Sequence, residues 1–413
     1  MKVFVTGATG FIGSAIVQEL ITAGHEVLGL ARSDAAAESL SAAGARIHRG
    51  DLSDLDSLRR GASDSDGVIH TGFTHDFANF KAVCEADRHA IAALGSALVG
   101  SGRLLVITSG IGLLPSGELA TEASMPPSPS PNPRVASEEA ARAVAARGAR
   151  VAIVRLSPSV HGEGEHGFVP ILIKVAREKG TSAYLGDGLN RWPAVHRLDA
   201  ARLFRLAFEK GVPATYHGVA EEGVPFRDIA EAIGRRLDLP VGRIAPEDAS
   251  SHFGWFAHFA AMDVLASSKR TQEALGWRPT QPGLLEDIAQ PEARNQRVRQ
   301  DSSQARSKRY AVGLDRPPCG AVVSHEYVKE AQMSDHQTDQ QVLGAIKKLV
   351  DEEHALHTGG TPDAAAEARL RTVRVELDQC WDLLRQRRAL REFGDDPDKA
   401  KVRPPQVVEN YEQ

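Results

Sequence analysis

The chain has 413 residues, of which 42% are apolar and 25% charged, enough for two or three soluble domains. Its formal net charge of −5 excludes the large basic excess of a dedicated nucleic-acid binder. No apolar run approaches the roughly 18 residues of a membrane span, and Lys2 leads straight into Val3-Phe4-Val5 without a signal-peptide pattern.

Three widely spaced cysteines, Cys84, Cys319 and Cys380, fit free thiols in a reducing cytoplasm rather than a disulfide framework. In chain order, short apolar runs at Lys2–Thr6, Glu26–Leu30, Arg46–His48, Gly67–His70, Leu104–Thr108 and Arg150–Arg155 predict strands. Helical stretches such as Phe11–Ala23 and Phe77–Val99 lie between them. This alternation predicts an α/β fold, a doubly wound Rossmann parallel sheet. From about residue 156 the pattern turns irregular, with glycine-rich turns at Gly162–Gly167 and Gly186-Asp187-Gly188 and helices near Asp199–Lys210 and Phe226–Leu237. A smaller substrate-binding part is expected there, so residues 1–290 form the first domain.

Residues 291–332 have scattered arginines and no apolar period, which predicts an unfolded linker. A basic nucleic-acid-binding arm is the disfavoured alternative, since aromatics are too sparse there to alternate with the basic residues for base stacking. From Met333 helical spacing returns, in Val342, Ile346, Leu349 and Leu356, then in Leu370, Val373, Leu377, Trp381 and Leu384. Gly359-Gly360-Thr361-Pro362 between them stops one helix and starts another. Residues 333–413 therefore read as an α-helical hairpin with little core of its own. Its apolar stripe is expected to pack on the main domain or on a second copy, making a homo-oligomer. Glu353, His354 and His357 cluster on the first helix, but no matching pair stands on the second, so no metal site is assigned.

Thr6-Gly7-Ala8-Thr9-Gly10-Phe11-Ile12-Gly13 follows the first strand and opens a helix. Gly7 suits a tight turn, Gly10 lets the backbone approach a pyrophosphate, and Gly13 allows helix and strand to pack closely. The helix amino terminus then stabilises the phosphate charge.

With this motif in place, residues 1–288 resemble the extended short-chain dehydrogenase/reductases, the NAD-dependent epimerase/dehydratase-like group. Further landmarks are Gly50-Asp51-Leu52, Val68-Ile69-His70, Val106-Ile107-Thr108-Ser109, Val160-His161-Gly162 and Val195-His196-Arg197-Leu198-Asp199. The resemblance implies a bound nicotinamide dinucleotide held by Gly7, Thr9, Gly10, Phe11, Ile12 and Gly13, with Asp51 and Leu52 at the adenine. NAD-preferring relatives carry an acid at the end of the second strand. Here Ala31-Arg32-Ser33 stands there, and Arg32 offers a charged donor fork to a 2′-phosphate, so NADP is expected ahead of NAD.

The family's catalytic tyrosine and lysine are missing. Arg134 stands at the tyrosine position and Glu138 at the lysine position. The first tyrosine of the chain is Tyr184, and no lysine lies between Lys81 and Lys174. The family's serine falls on Ser109 in one register and on Gly110 in the other. Arg134 cannot donate a proton but can stabilise an oxyanion or hold an acidic substrate. Being one helical turn apart, Arg134 and Glu138 can also form a plain ion pair. His161 is the first candidate for the missing acid, ahead of His166 and Tyr184, and Arg191 matches a substrate-contacting region. The expected activity is an NADP(H)-dependent oxidoreductase for a small carbonyl or alcohol. The alternative is a non-catalytic dinucleotide sensor, and an epimerase is disfavoured by Arg32 and the missing tyrosine. Residues 333–413 resemble a short bacterial family of unknown function.

Overall fold

The computed structural model describes residues 1–76, 79–290, most of 341–349, 352, 364–392 and 396–403. The chain divides into two compact units, residues 1–311 and 312–413, each described by itself. The expected linker at 291–332 lies outside the described residues.

The strands of the first unit begin with β1 (Lys2–Thr6), β2 (Glu26–Ala31), β3 (Arg46–Arg49), β4 (Gly67–His70), β5 (Leu104–Gly110) and β6 (Leu119–Ala120). They continue with β7 (Arg150–Leu156), β8 (Ser159–His161), β9 (Ser182–Leu185), β10 (Arg191–His196), β11 (Thr215–Gly218) and β12 (Glu221–Pro225). The main helices are α1 (Phe11–Thr22), α2 (Asp34–Ala42), α3 (Leu55–Ser63), α4 (Phe80–Ser96), α5 (Ala136–Ala146), α6 (Phe168–Lys179), α7 (Arg197–Lys210) and α8 (Phe226–Leu237).

Seven strands, all parallel, form one sheet in the order β3-β2-β1-β4-β5-β7-β11. Helices cover both faces. Ile16, Leu20, Leu40, Phe204 and Phe208 pack on one, while Leu58, Ile91, Leu94 and Val144 pack on the other. A strand buried on both sides needs continuous apolar residues, and Val3, Phe4 and Val5 are each 0% exposed. The winding reverses between β1 and β4, which opens a crevice at their carboxyl ends. The glycine turn after β1, Gly50-Asp51-Leu52 after β3, His70 at the end of β4 and Ser109 near the end of β5 lie along that edge.

The division at residue 156 is not linear. After β7 the chain leaves this sheet and then returns to it through α7 and β11. The sequence hides this because Thr215-Tyr216-His217-Gly218 is too short and polar to read as a buried strand. A second, mixed sheet of β12-β10-β8 carries its own core around Trp192, Phe226 and Phe256. In it His161 and His196 are paired across β8 and β10.

In the second unit the helix Ala364–Glu392 packs against helical residues of 341–349. Val342, Ile346, Cys380, Leu383 and Ala400 make its core. Arg387 ties the short turn at Pro397–Lys399 to this helix by donating to the Pro397 carbonyl (3.1 Å) and to Asp398 (2.9 Å). One expectation is corrected. Trp381 is not on the buried seam but 46% exposed, because the neighbouring Cys380 occupies the seam. The residues Gly359–Pro362, Glu353, His354 and His357 lie outside the described residues. Among the described residues no helix is long and apolar enough to cross a membrane, and no group of three or more His, Cys, Asp or Glu could hold a metal ion.

Candidate functional site

The β1–α1 turn is shaped by its glycines. Gly7 has φ +66°, and a Cβ there would lie 2.6 Å from the Gly72 nitrogen. A Cβ on Gly13 would lie 1.9 Å from the Gly7 carbonyl oxygen, so only glycine lets α1 approach the turn. Gly10 opens α1 and provides no side-chain cap. The amides of Phe11, Ile12 and Gly13 in the first turn have no intrahelical acceptor, so the helix presents donors and a positive dipole end. Thr9 and Gly10 are exposed beside them, whereas Phe11 and Ile12 are half-buried. This is a cradle for an anion.

Arg32 is exposed at the end of β2, and Ser33 beside it caps α2. Asp51 accepts from the Ser53 amide (2.9 Å) and hydroxyl (2.8 Å). These bonds, with the Arg32 charge adding, hold its carboxyl below the usual range against the cost of burial. Leu52 packs half-buried at the edge of the core, against Gly72.

A chain of polar contacts runs from this turn to Arg134. The Asp87 carboxylate accepts from His70 Nε2 (2.9 Å) and from Arg134 Nη1 (2.9 Å), and the Ser137 hydroxyl bridges the same carboxylate and Arg134. Burial raises the Asp87 pKa, but His70, Arg134 and Ser137 together outweigh it and keep the group ionised. A carboxylate can only accept, so His70 Nε2 carries the hydrogen. In neutral His70, Nδ1 then accepts from the Thr6 hydroxyl at 2.7 Å. Thr6 is the last residue of β1, immediately before Gly7. The Arg134 guanidinium lies over the Phe73 ring, 4.2 Å from its centroid, and also reaches the Thr108 carbonyl (3.4 Å). Its side chain keeps 18% exposure.

Glu138 does not pair with Arg134. It is 0% exposed and accepts from Arg155 at 2.7 and 2.9 Å, from Arg142 at 2.7 Å and from the Ser109 hydroxyl at 2.7 Å. Burial pushes its pKa up, but Arg155, Ser109 and Arg142 more than reverse this. The plain ion pair between Arg134 and Glu138 is therefore replaced by two separate networks, because the partners on α4 and β7 lie closer. Behind Arg155 stands His217, whose pKa burial pulls down to about 4. Neutral, it donates from Nδ1 to the Ser267 carbonyl (2.9 Å), which leaves Nε2 to accept from Arg155 at 3.5 Å.

His161 is 1% exposed. Its Nδ1 meets Asp287 at 2.9 Å, and its ring packs edge-on against His196 at 5.4 Å. Asp287 is held below the usual carboxylate range chiefly by that bond. In the following loop, the Glu165 carboxyl is pushed up to about 8, mainly by burial, with the Asp287 charge adding and the Val169 amide opposing. His166 is exposed, its ring 5.8 Å from that of Phe11. Tyr184 packs half-buried in the second sheet's core, and the Arg191 guanidinium is occupied by Asp263 at 3.1 and 3.2 Å. The sequence reading missed Thr6, Phe73, Asp87 and Arg155 as site residues. Their partners are far away in the chain, so spacing carries no signal for them.

The profile of the NAD dependent epimerase/dehydratase family matches residues 3–217, and that of DUF2630, a protein of unknown function, matches residues 338–413. An uncharacterised protein of Schizosaccharomyces pombe is 50% identical over 291 residues, 70% of this chain and 98% of its own. A 2-alkyl-3-oxoalkanoate reductase of Stenotrophomonas maltophilia is 32% identical over 267 residues, 58% of this chain and 77% of its own. A solved dTDP-glucose 4,6-dehydratase of Streptomyces venezuelae, with NAD and TYD bound, has a TM-score of 0.59 at 21% identity, covering 74% of this chain and 98% of that one. That last likeness is one of fold. With its seven-stranded doubly wound sheet and glycine turn, the chain belongs to the NAD dependent epimerase/dehydratase family, as an NAD(P)-dependent enzyme of oxidoreductase type that carries a DUF2630 region after it.

Proposed function

We propose that the chain is an NADP(H)-dependent oxidoreductase of a small carbonyl or alcohol that works without a tyrosine–lysine dyad. The observation that carries this reading is the polar chain from the glycine turn to Arg134, through Thr6, His70 and Asp87. The first-turn amides of α1 fit a pyrophosphate, and Gly10 leaves room for it. In this reading Gly7, Thr9, Gly10, Phe11, Ile12 and Gly13 would hold the phosphates, Asp51 and Leu52 the adenosine end, and Arg32 a 2′-phosphate. When bound, the dinucleotide supplies or accepts a hydride.

Arg134 donates to the substrate oxygen and stabilises the charge that develops there. Its own charge is already matched by Asp87, so the site suits a neutral carbonyl group and does not require an anionic substrate. The name of the Stenotrophomonas relative, a reductase of an oxoalkanoate, speaks for carbonyl reduction. Ser109, Glu138 and His161 are enclosed. We assign Ser109 and Glu138 to fixing the start of α5 under Arg134, and His161 with Asp287 to holding the loop after β8.

NADPH should bind at least about tenfold more tightly than NADH, because one charge-assisted contact contributes about 1.5–3 kcal/mol. Arg32→Asp should abolish or reverse that preference in a fluorescence titration of both cofactors. Equal affinities in the unaltered protein would overturn the NADP reading. A panel of aldehydes, ketones and alcohols tests the reaction, and tight binding with no turnover would leave a dinucleotide sensor instead.

We further propose that residues 291–332 join two separable modules, 1–290 and 333–413. Limited proteolysis should then cut first between 291 and 332 and leave an amino-terminal piece that binds NADPH as the whole chain does. Resistance of that segment, or loss of binding on cleavage, would show the modules to be coupled.

A further inference from the structure

The proposed reaction leaves a gap that Arg134 cannot fill. Adding a hydride to a carbonyl carbon moves the C=O π pair onto oxygen, and that oxygen then needs a proton. A guanidinium with a pKa above about 12 does not give one up. His161 is enclosed by Asp287 and His196, and Glu138 by two arginines. A donor must stand beside Arg134 and remain reachable from the crevice.

We propose that His75, in the segment after β4, is the acid–base residue of this site, passing a proton to and from the substrate oxygen that Arg134 holds. The inference rests on the oxidoreductase reading above. The Phe73 ring lies under the Arg134 guanidinium at 4.2 Å, and the His75 ring meets the same Phe73 edge-on at 5.3 Å. One aromatic ring therefore seats both the oxyanion donor and an imidazole. His75 is exposed, as a group exchanging protons with substrate and solvent must be. His166 is also near, but its ring packs on Phe11 at the start of α1 and not on Phe73 beside Arg134.

In the reducing direction the His75 imidazolium would give its proton to the oxygen as carbon receives a hydride, which a bound reduced dinucleotide would supply, leaving neutral His75, the alcohol and the dinucleotide oxidised. In the oxidising direction neutral His75 takes the hydroxyl proton as the hydride leaves. The charged groups around His75 are Arg134, His166 and its chain neighbour Asp76. Loss of hydration in the crevice, then Arg134 and His166, hold the His75 pKa below its usual value of 6.5. That lowering favours neutral His75, the form needed for oxidation. Reduction should slow as the pH rises through that pKa, and oxidation should quicken.

Two measurements decide the matter. In 15N-labelled protein, the His75 imidazole should titrate below 6.5, shift upward in Arg134→Met and respond to NADPH. A His75 signal indifferent to both places the ring away from the site and overturns the proposal, even if no substrate is found. With a substrate from the carbonyl panel, His75→Asn should lower kcat by about a hundredfold or more. It should flatten this limb of the pH profile and leave NADPH affinity within about threefold, and added imidazole should partly rescue His75→Ala. Unchanged kcat with an unchanged pH profile in His75→Asn also overturns it. Absence of any turnover in the unaltered protein, with the His75 titration as expected, counts against the oxidoreductase reading and not against the place of His75.

Discussion

Glu138→Ala should destabilise the amino-terminal unit by about 3–5 kcal/mol, because it strands the Arg155 charge in the interior. Arg155 is 1% exposed, and among the described residues its only ionic partner at hydrogen-bond distance is Glu138, at 2.7 and 2.9 Å. The Ser124 carbonyl (2.7 Å) and neutral His217 solvate it but do not neutralise it. In a unit of this size each kcal/mol shifts the midpoint by roughly 2–4 °C, a change that thermal unfolding by circular dichroism resolves easily. The double variant Glu138→Leu/Arg155→Met should recover much of the loss, since replacing a whole buried pair is far milder than breaking it. The pH dependence has a definite sign. The Glu138 pKa is lowered in the folded state, so its stabilisation is full above the ordinary value of 4.5 and fades as pH falls through the folded value. The difference between unaltered protein and Glu138→Ala should therefore shrink in acid. A midpoint unchanged at pH 7 would mean that water reaches Arg155.

Arg134→Met should lower kcat by about 10²–10³, the usual cost of removing one oxyanion donor. NADPH affinity should change little, because Arg134 does not line the glycine cradle. Arg134→Lys should recover only part of the rate. It keeps the charge but loses the planar fork that lies on Phe73 and reaches Asp87, Ser137 and Thr108 together. Asp87 provides an internal check: without the guanidinium it loses one of the groups that keep its pKa low, and that pKa should rise. A variant with full kcat would remove Arg134 from the chemistry and leave it a structural partner of Asp87.

The two networks around α5 mark the limit of what spacing can reveal. Arg134 and Glu138 sit one turn apart, and an ion pair between them was a fair expectation. The fold instead brings Asp87 from α4 to one and Arg155 from β7 to the other. In the second unit, the 3–4 spacing identified the helix but put Trp381 on the wrong side of its seam.

The sequence by itself determined the strand–helix alternation, the glycine turn, the absence of a tyrosine–lysine dyad on α5 and the change of character at Met333. Each of these is written in consecutive residues, as an apolar period, a residue that only a tight turn requires, or a residue that is missing. The tertiary structure alone decided the return of β11 to the sheet, the burial of Glu138 and His161, and the meeting of His75 and Arg134 on Phe73. Those are contacts between residues far apart in the chain. They depend on how strands are ordered in a sheet and how helices dock on it, and on which charge finds its counter-charge first, none of which leaves a local pattern.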